Sequence, residues 1–506
     1  MRNLNLNLAL IRYVFGVLLL MESLFMAVST LVAVWYAYRC GDTDWPALAV
    51  TTAVTAAAGA AFWWSGRKHP EGMAKREGYL IVALAWVLFS VFGMLPYLIY
   101  GTCTSVADAF FETMSGFTTT GCTVLGDIDA QPHGILFWRS MTHWLGGLGI
   151  VVFSLSLLPL LGSGATMMYD AETTGLSVSK LRPKIQSTAR RLWGIYLVFT
   201  VVCTLLLWAG PVSLFDAVNL AFSTIATGGF APHQASLGHY QSAYVEYVCA
   251  VFLFICSLNF SLYYLFGVGK WRLFWRDEEF RWFCLIVALE TLGFMALVAY
   301  TRQHAATTPE QLAALGDPAF EPTFRMCFFH VMSIISSGGL QAEHYDYDLW
   351  GQLFWLPSFT LMAIGGCAGS TAGGLKVVRV VVLFKNLGAQ FRQALRPREI
   401  STVRLNGHSL SQETLLKVMA MFAMYVLLIF FSVFLLQWLG LDFKSAIGTS
   451  ISAFSNTGPA LGSTGPAFTW GDIPDVGKWY LSVAMLVGRL EIFTVVLLFT
   501  RLFWRR

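Results

Sequence analysis

The chain has 506 residues, 56% of them hydrophobic and only 12% charged, and carries 33 Lys and Arg against 29 Asp and Glu. Soluble domains carry about 25% charged residues, so a mean hydropathy of +0.61 excludes a soluble enzyme and gives no reason to expect a nucleic-acid partner. An integral protein of the lipid bilayer is expected, with any large regulatory domain on another polypeptide.

From the N-terminus, the run from about Tyr13 to Ala37 lies behind Arg2 and Arg12. It is longer than a signal-peptide core and lacks a clear cleavage site, so it reads as a retained helix. Further apolar runs lie near 46–65, 79–100, 134–161, 190–210, 241–266, 281–301, 350–390, 413–438 and 477–503. Each can cross a hydrocarbon core of about 30 Å, which takes roughly 20 helical residues. Alternate connecting segments and the two termini hold 26 of the 33 Lys and Arg, whereas the opposite segments hold six: Arg39, Arg139, Arg302, Arg325, Lys444 and Lys478. The positive-inside rule then places both termini in the cytoplasm. The remaining cation, Arg489, falls inside the last span. The nine cysteines show no C-x-x-C pair and are read as free thiols packed as small hydrophobes.

Four outward segments share one pattern: Ser115 to Gly121, Ser223 to Gly229, Ser333 to Gly339 and Ser452 to Gly458, each with Ser six residues before Gly. The glycines are 108, 110 and 119 residues apart, and each motif lies between two apolar spans, the mark of a repeated unit. Before each motif runs an apolar stretch of half-bilayer length: Ala107 to Phe117, Leu214 to Ile225, Pro322 to Ile335 and Phe443 to Phe454. Such segments enter the membrane without crossing it. Non-helical backbone at that depth is tolerated only in a protein interior or beside a water-filled cavity, so the pattern predicts four re-entrant helices around a central aqueous pore. Asp108 and Asp216 are read as N-caps of two of these helices.

The strands that follow are Thr118, Thr119, Thr120 and Gly121; Ala226, Thr227, Gly228 and Gly229; Ser336, Ser337, Gly338 and Gly339; and Ser455, Asn456, Thr457 and Gly458, none of them charged. Glycine reaches left-handed backbone conformations that turn carbonyls toward an axis, and a ring of carbonyls can replace the hydration shell of a cation. The re-entrant helices add their negative C-terminal ends.

These residues resemble the Trk/Ktr/HKT superfamily of potassium transporters, with particular similarity to the bacterial TrkH/TrkG branch. The signatures are S-G-F-T-T-T-G-C-T from Ser115, W-L-G-G-L-G-I from Trp144, G-G-C-A-G-S-T-A-G-G-L-K from Gly365 and G-R-L-E-I-F-T from Gly488. The resemblance implies an all-α membrane protein of four pseudo-symmetric repeats, each an outer helix, a re-entrant pore helix with filter loop, and an inner helix, behind two extra N-terminal helices. The expected divisions are 1–78, 79–189, 190–280, 281–412 and 413–506. It further implies potassium uptake at the bacterial inner membrane, with Gly121, Gly229, Gly339 and Gly458 as filter glycines. The ion would bind at Thr119, Thr120, Thr227, Gly228, Ser337, Gly338, Asn456 and Thr457, without an organic cofactor. A homodimer that docks a TrkA-like cytoplasmic nucleotide-binding ring is expected, with the basic segments Lys180 to Arg191 and Arg392 to Arg404 as candidate docking sites. Gly228, Gly338 and Asn456 depart from fourfold symmetry.

The inner span of repeat three is interrupted by residues 365–374, five glycines in ten positions. Each Gly costs a helix about 1 kcal/mol relative to Ala, so an intramembrane gating loop is expected, carrying Gly365, Gly366, Gly369, Ser370, Thr371, Gly373 and Gly374. It is not a phosphate loop, because Leu375 stands between Gly374 and Lys376. Counted from the filter glycine, Asn259 is 30 residues on, Gly369 is 30 on, Arg489 is 31 on and Val151 is 30 on. Asn259 and Arg489 are therefore expected to share one constriction with the loop, the arginine acting as a barrier and a donor to loop carbonyls; an ion pair with Glu290 or Glu112 is the structural alternative. With one of four inner spans broken, a channel-like pore is favoured over a proton- or sodium-coupled symporter, whose carriers show paired broken helices. For such coupling His143, His330 and Glu290 are conceivable proton groups.

Overall fold

The computed structural model describes residues 6–67, 75–147, 149, 185–305, 308–342, 346–398 and 402–504. Two N-terminal helices come first, α1 (Leu8–Cys40) and α2 (Trp45–Gly66). The Asn7 side chain accepts the Leu10 N–H at the start of α1, and Gly41 ends it in the left-handed conformation. The pair packs along its length through small residues. A Cβ built on Gly59 would lie 2.9 Å from the Leu20 nitrogen, a spacing that only a residue without a side chain permits.

Four units of similar design follow. The first is α3 (Lys75–Gly93) with its continuation α4 (Leu95–Tyr100), the buried α5 (Val106–Phe117) and α6 (His133–Gly147). The second is α7 (Ile185–Trp208), α8 (Leu214–Ala226), and α9 (Ala243–Cys256) leading into α10 (Phe260–Gly267). The third is α11 (Glu278–Tyr300), α12 (Phe320–Ile335), α13 (Trp355–Ile364) and, beyond a loop, α14 (Val377–Leu395). A hairpin of β1 (Arg404–Leu405) and β2 (His408–Ser409) leads to the fourth: α15 (Gln412–Trp438), α16 (Phe443–Ser455), and α17 (Asp475–Arg489) with α18 (Phe493–Val496).

The short helices α5, α8, α12 and α16 have 12, 13, 16 and 13 residues, too few to cross a bilayer. Their N-caps correct one expectation. Ser105 and Ser213, not Asp108 and Asp216, hold the cap position, each with extended backbone and a hydroxyl that accepts the N–H three residues on. The two aspartates stand inside the first turn; Asp108 meets Lys478 at 2.5 Å and Asp216 lies 3.5 Å from His233.

The inner helices close a ring by packing on the pore helix of the next unit: α6 on α8, α9 on α12, α13 on α16 and α17 on α5. A second correction concerns their continuity. Besides the loop between α13 and α14, α9 and α10 meet at 89°, and α17 turns by 116° into the segment from Phe493 to Phe499. The cause at α10 is local: the Asn259 side chain accepts the Ser261 N–H and starts a new helix. At the end of α17, Glu491 takes a left-handed φ of 54°. Six described helices are long and apolar enough to cross a membrane, or eight if each bent pair is one span; the run at 134–161 continues past the described residues, and that at 350–390 is divided by the loop. The fold is an all-α, multi-pass membrane protein. Seven of the nine free cysteines are buried, as small hydrophobes are.

Candidate ion filter and gate

The four strands after the pore helices converge on one axis. A Cβ built on Gly121 would overlap the Gly228 carbonyl oxygen, and one on Gly229 would lie 2.9 Å from the Gly338 oxygen. One on Gly339 would overlap the Thr457 oxygen, and one on Gly458 would lie 2.5 Å from the Thr120 oxygen. The circuit closes in sequence order, so each glycine is needed for space as well as for backbone freedom.

Backbone hand alternates identically in all four strands. Thr119, Thr227, Ser337 and Asn456 have φ of 53°, 55°, 53° and 55°, Gly121, Gly229, Gly339 and Gly458 have φ of 82°, 92°, 57° and 97°, and the residue between each pair has negative φ. Alternation of hand turns successive carbonyls to one side, the arrangement a dehydrated cation needs. Sequence reasoning assigned left-handed backbone to glycine and missed the four residues with side chains; only Asn456 is a type that tolerates it. The extra glycines answer a different need. A Cβ on Gly228 would overlap the His143 ring, and one on Gly338 would lie 2.5 Å from Leu253.

The recurring serine explains how the strands are held. The carbonyls of Ser115, Ser223, Ser333 and Ser452 accept the N–H five residues later, from Thr120, Gly228, Gly338 and Thr457, at 2.9–3.0 Å. Three of the hydroxyls donate to the far end of the strand: Ser115 to Cys122 O at 2.6 Å, Ser333 to Leu340 O at 2.7 Å and Ser452 to Gly458 O at 2.9 Å. Thr118 shares a hydrogen bond with Thr120, and Ser455 one with Thr457, both at 2.8 Å, while the Ser336 hydroxyl accepts the Gly338 N–H. Ala226 is fully buried at the end of α8.

Outside this ring lies a vestibule of about 60 Å³ that touches all four glycines. Arg139, which the sequence marks only as one of the six outward cations, reaches its wall while 2% exposed. It pairs with the fully buried Glu112 at 2.7 Å, donates to Ala231 O at 3.1 Å and lies 3.6 Å from the centre of the Phe230 ring. That pairing removes Glu112 from consideration as the partner of Arg489.

Inside the ring, the loop between α13 and α14 presses against the strands. The Ser337 hydroxyl accepts the Gly373 N–H at 2.6 Å, and Thr227 donates to the Thr371 hydroxyl at 3.2 Å. A Cβ on Gly373 would overlap the Ser455 carbonyl oxygen. Gly365, Gly369 and Gly374 adopt φ of 71°, 73° and 78°, and Gly365 and Gly374 pack against each other as the loop doubles back. The Gly366 carbonyl accepts the Val377 N–H, and Ser370 donates to Cys367 O at 2.5 Å.

Arg489 ties three units together at this level. It donates to Thr371 O at 2.7 Å, to Gly146 O at 2.6 Å and to Gly147 O at 2.8 Å. The second unit joins through Asn259, whose side chain borders Gly369 and whose neighbour Phe260 donates its N–H to Gly369 O at 3.0 Å. Val151 lies outside the described residues, and Gly146 and Gly147 hold the place in unit one. Glu290 is half-buried on α11. His143 shares a hydrogen bond with Gly116 O at 2.7 Å and stacks on Phe230, while His330 meets Ser358 at 3.2 Å, so both imidazoles have structural partners.

A fourfold ring of short buried helices, uncharged strands on its axis and a loop packed against their inner face define a multi-pass membrane protein with a polar axis. Comparisons with known proteins agree. The family model described as TrkH, cation transport protein, matches residues 46–504. The Trk system potassium uptake protein TrkH of Escherichia coli (strain K12) is 37% identical over 97% of this chain and 98% of its own. The corresponding protein of Halomonas elongata is 36% identical over 99% and 100%. The crystal structure of the potassium transporter TrkH from Vibrio parahaemolyticus superposes with a TM-score of 0.84 at 34% identity, covering 98% of this chain and 99% of that one. The chain belongs to the TrkH family of cation transport proteins, a family of transporters and not of enzymes.

Proposed function

We propose that the chain takes up potassium through the axial ring, stripping the ion of water against main-chain carbonyls around Thr119, Thr120, Thr227, Gly228, Ser337, Gly338, Asn456 and Thr457. The observation that carries the reading is the closed circuit of the four glycines with alternating backbone hand, because uncharged oxygens on a fixed radius select a monovalent cation by its dehydration. Potassium uptake by relatives at 36–37% identity supports the choice of ion. The loop from Gly365 to Gly374, with Arg489 and Asn259, acts as the gate below the filter. The setting is the inner membrane with both termini cytoplasmic, and the protein works as a homodimer under a nucleotide-binding ring of the TrkA type.

The test is rubidium and potassium uptake by cells lacking other potassium systems. Wild type restores uptake, and Gly121→Ala, whose added methyl overlaps the Gly228 oxygen, lowers it by more than tenfold or admits sodium. Normal selective uptake by a folded Gly121→Ala variant would remove the ring from the pathway.

A symporter coupled to protons or sodium is the competing reading, and the bends in units two and four remove the argument that only one inner span is broken. The breaks nevertheless surround one constriction instead of pairing across two inverted halves, as carrier sites do. A zero-current potential that follows the potassium gradient alone supports the pore; one displaced by pH or sodium supports coupling.

A further inference from the structure

The intramembrane loop is fastened by a carboxylate that neither the filter nor the constriction uses. Glu279, in the first turn of α11, is 7% exposed. Its Oε1 accepts the main-chain N–H of Ala368 at 2.7 Å and of Val378 at 3.1 Å. Ala368 lies within the loop, and Val378 is in the first turn of α14, where N–H groups lack partners inside the helix. One oxygen atom therefore closes the segment between residues 368 and 378.

The two preceding acids join the same turn to the β1–β2 hairpin. Glu278 pairs with Lys385 on α14 and accepts the Asn406 N–H at 3.0 Å. Asp277 accepts from the Asn406 side-chain nitrogen at 3.0 Å, and the Asn406 side-chain oxygen takes the Glu278 N–H at 2.7 Å. Asn406 is an exposed hairpin-turn residue with φ of 50°, followed by Gly407 at 80°.

We propose that Glu279 is a positioning residue that latches the loop in place, and that the contact of Asp277 and Glu278 with Asn406 lets a displaced hairpin release the latch. The inference rests on the reading of residues 365–374 as a gate. It assigns the hairpin the part of a handle: rotation of the first turn of α11 moves both hydrogen bonds of Glu279 at once.

The experiment uses the full chain in lipid nanodiscs. The Cys367 thiol is 2% exposed beside Ala368, and its reaction with a water-soluble maleimide is followed by peptide mass spectrometry. Glu279→Ala removes both hydrogen bonds and should speed labelling about tenfold or more. Glu279→Gln keeps an acceptor oxygen and should change it less than about threefold. Asn406→Ala, on the surface, should raise it a few-fold, and it decides the matter if Glu279→Ala does not fold. Wild-type labelling in both alanine variants overturns the proposal, and a rise in Glu279→Ala alone keeps the latch while overturning the hairpin route. Rubidium flux is measured alongside. Faster labelling with unchanged flux keeps the latch and overturns the gate reading, whereas changed flux with unchanged labelling overturns the latch.

Discussion

Replacing Arg489 separates two roles that its geometry combines. Its guanidinium holds carbonyls of Thr371, Gly146 and Gly147 at 2.6–2.8 Å, and it places a positive charge next to the proposed route of a cation. Two unit charges 4 Å apart repel by about 4 kcal/mol at an effective dielectric of 20, and at twice that distance by about 2 kcal/mol. The smaller value already slows passage roughly 30-fold. Arg489→Ala should therefore raise rubidium flux into proteoliposomes by about that factor. Arg489→Lys keeps the charge but cannot span three carbonyls, and should stay within about threefold of wild type if the barrier is electrostatic. Arg489→Gln, uncharged but able to donate, should behave like alanine. If the lysine variant instead opens as far as the alanine one, fastening of the loop is the dominant role. Unchanged flux in a folded Arg489→Ala protein would refute both.

Two further outcomes follow from groups outside the constriction. Glu112 and Arg139 are buried together at 2.7 Å, so Glu112→Gln should cost about 3–5 kcal/mol by leaving a buried charge unpaired, read as a lower thermal-unfolding midpoint in detergent. The double replacement Glu112→Leu with Arg139→Met should be less damaging than either single change, and a loss equal to their sum would refute the coupling. In the outer loop, hydrogen bonding to Asp216, with Asp129 also 2.7 Å away, raises the His233 imidazole above its ordinary 6.5. A raised value means the protonated form is favoured by folding, so its contribution is complete below about pH 6.5 and is lost as pH rises through the folded value. Thermal stability should fall over that window, and His233→Gln should flatten the dependence. A slope that survives the substitution would assign it to another group.

The sequence carried the architecture because half-length apolar segments and four spaced Ser–Gly motifs have few physical solutions in a bilayer. It carried the meeting of Arg489, Asn259 and the loop because equal spacing from the glycines sets equal depth on equivalent elements. Bends at Asn259 and Glu491 were not legible, since both segments remain apolar enough to read as continuous spans. Arg139 was hidden for a related reason: as one of six cations on the outward side it counted toward topology, and its partner Glu112 lies 27 residues away on another helix. Cap assignment failed because Ser and Asp three apart both suit an N-terminus, and only backbone angles tell which is the cap.

The left-handed residues with side chains are the feature with the widest physical consequence. Left-handed backbone costs a non-glycine residue about 1–3 kcal/mol and persists only where surroundings over-determine it; Thr119 and Thr227, being β-branched, are the least suited to it. Part of what secures them is the strand-to-helix bond at each serine carbonyl. In units two and three the side chains add to this, with the loop as partner: Thr227 on Thr371 and Ser337 on Gly373. Asn456 in unit four is tied instead to Thr120 at 3.0 Å and to Met485 O at 2.9 Å. On the proposed gate reading, a loop that moves takes hydrogen-bond partners from the strands of units two and three and leaves Asn456 anchored, so that reading couples opening of the inner face to relaxation of half of the ring.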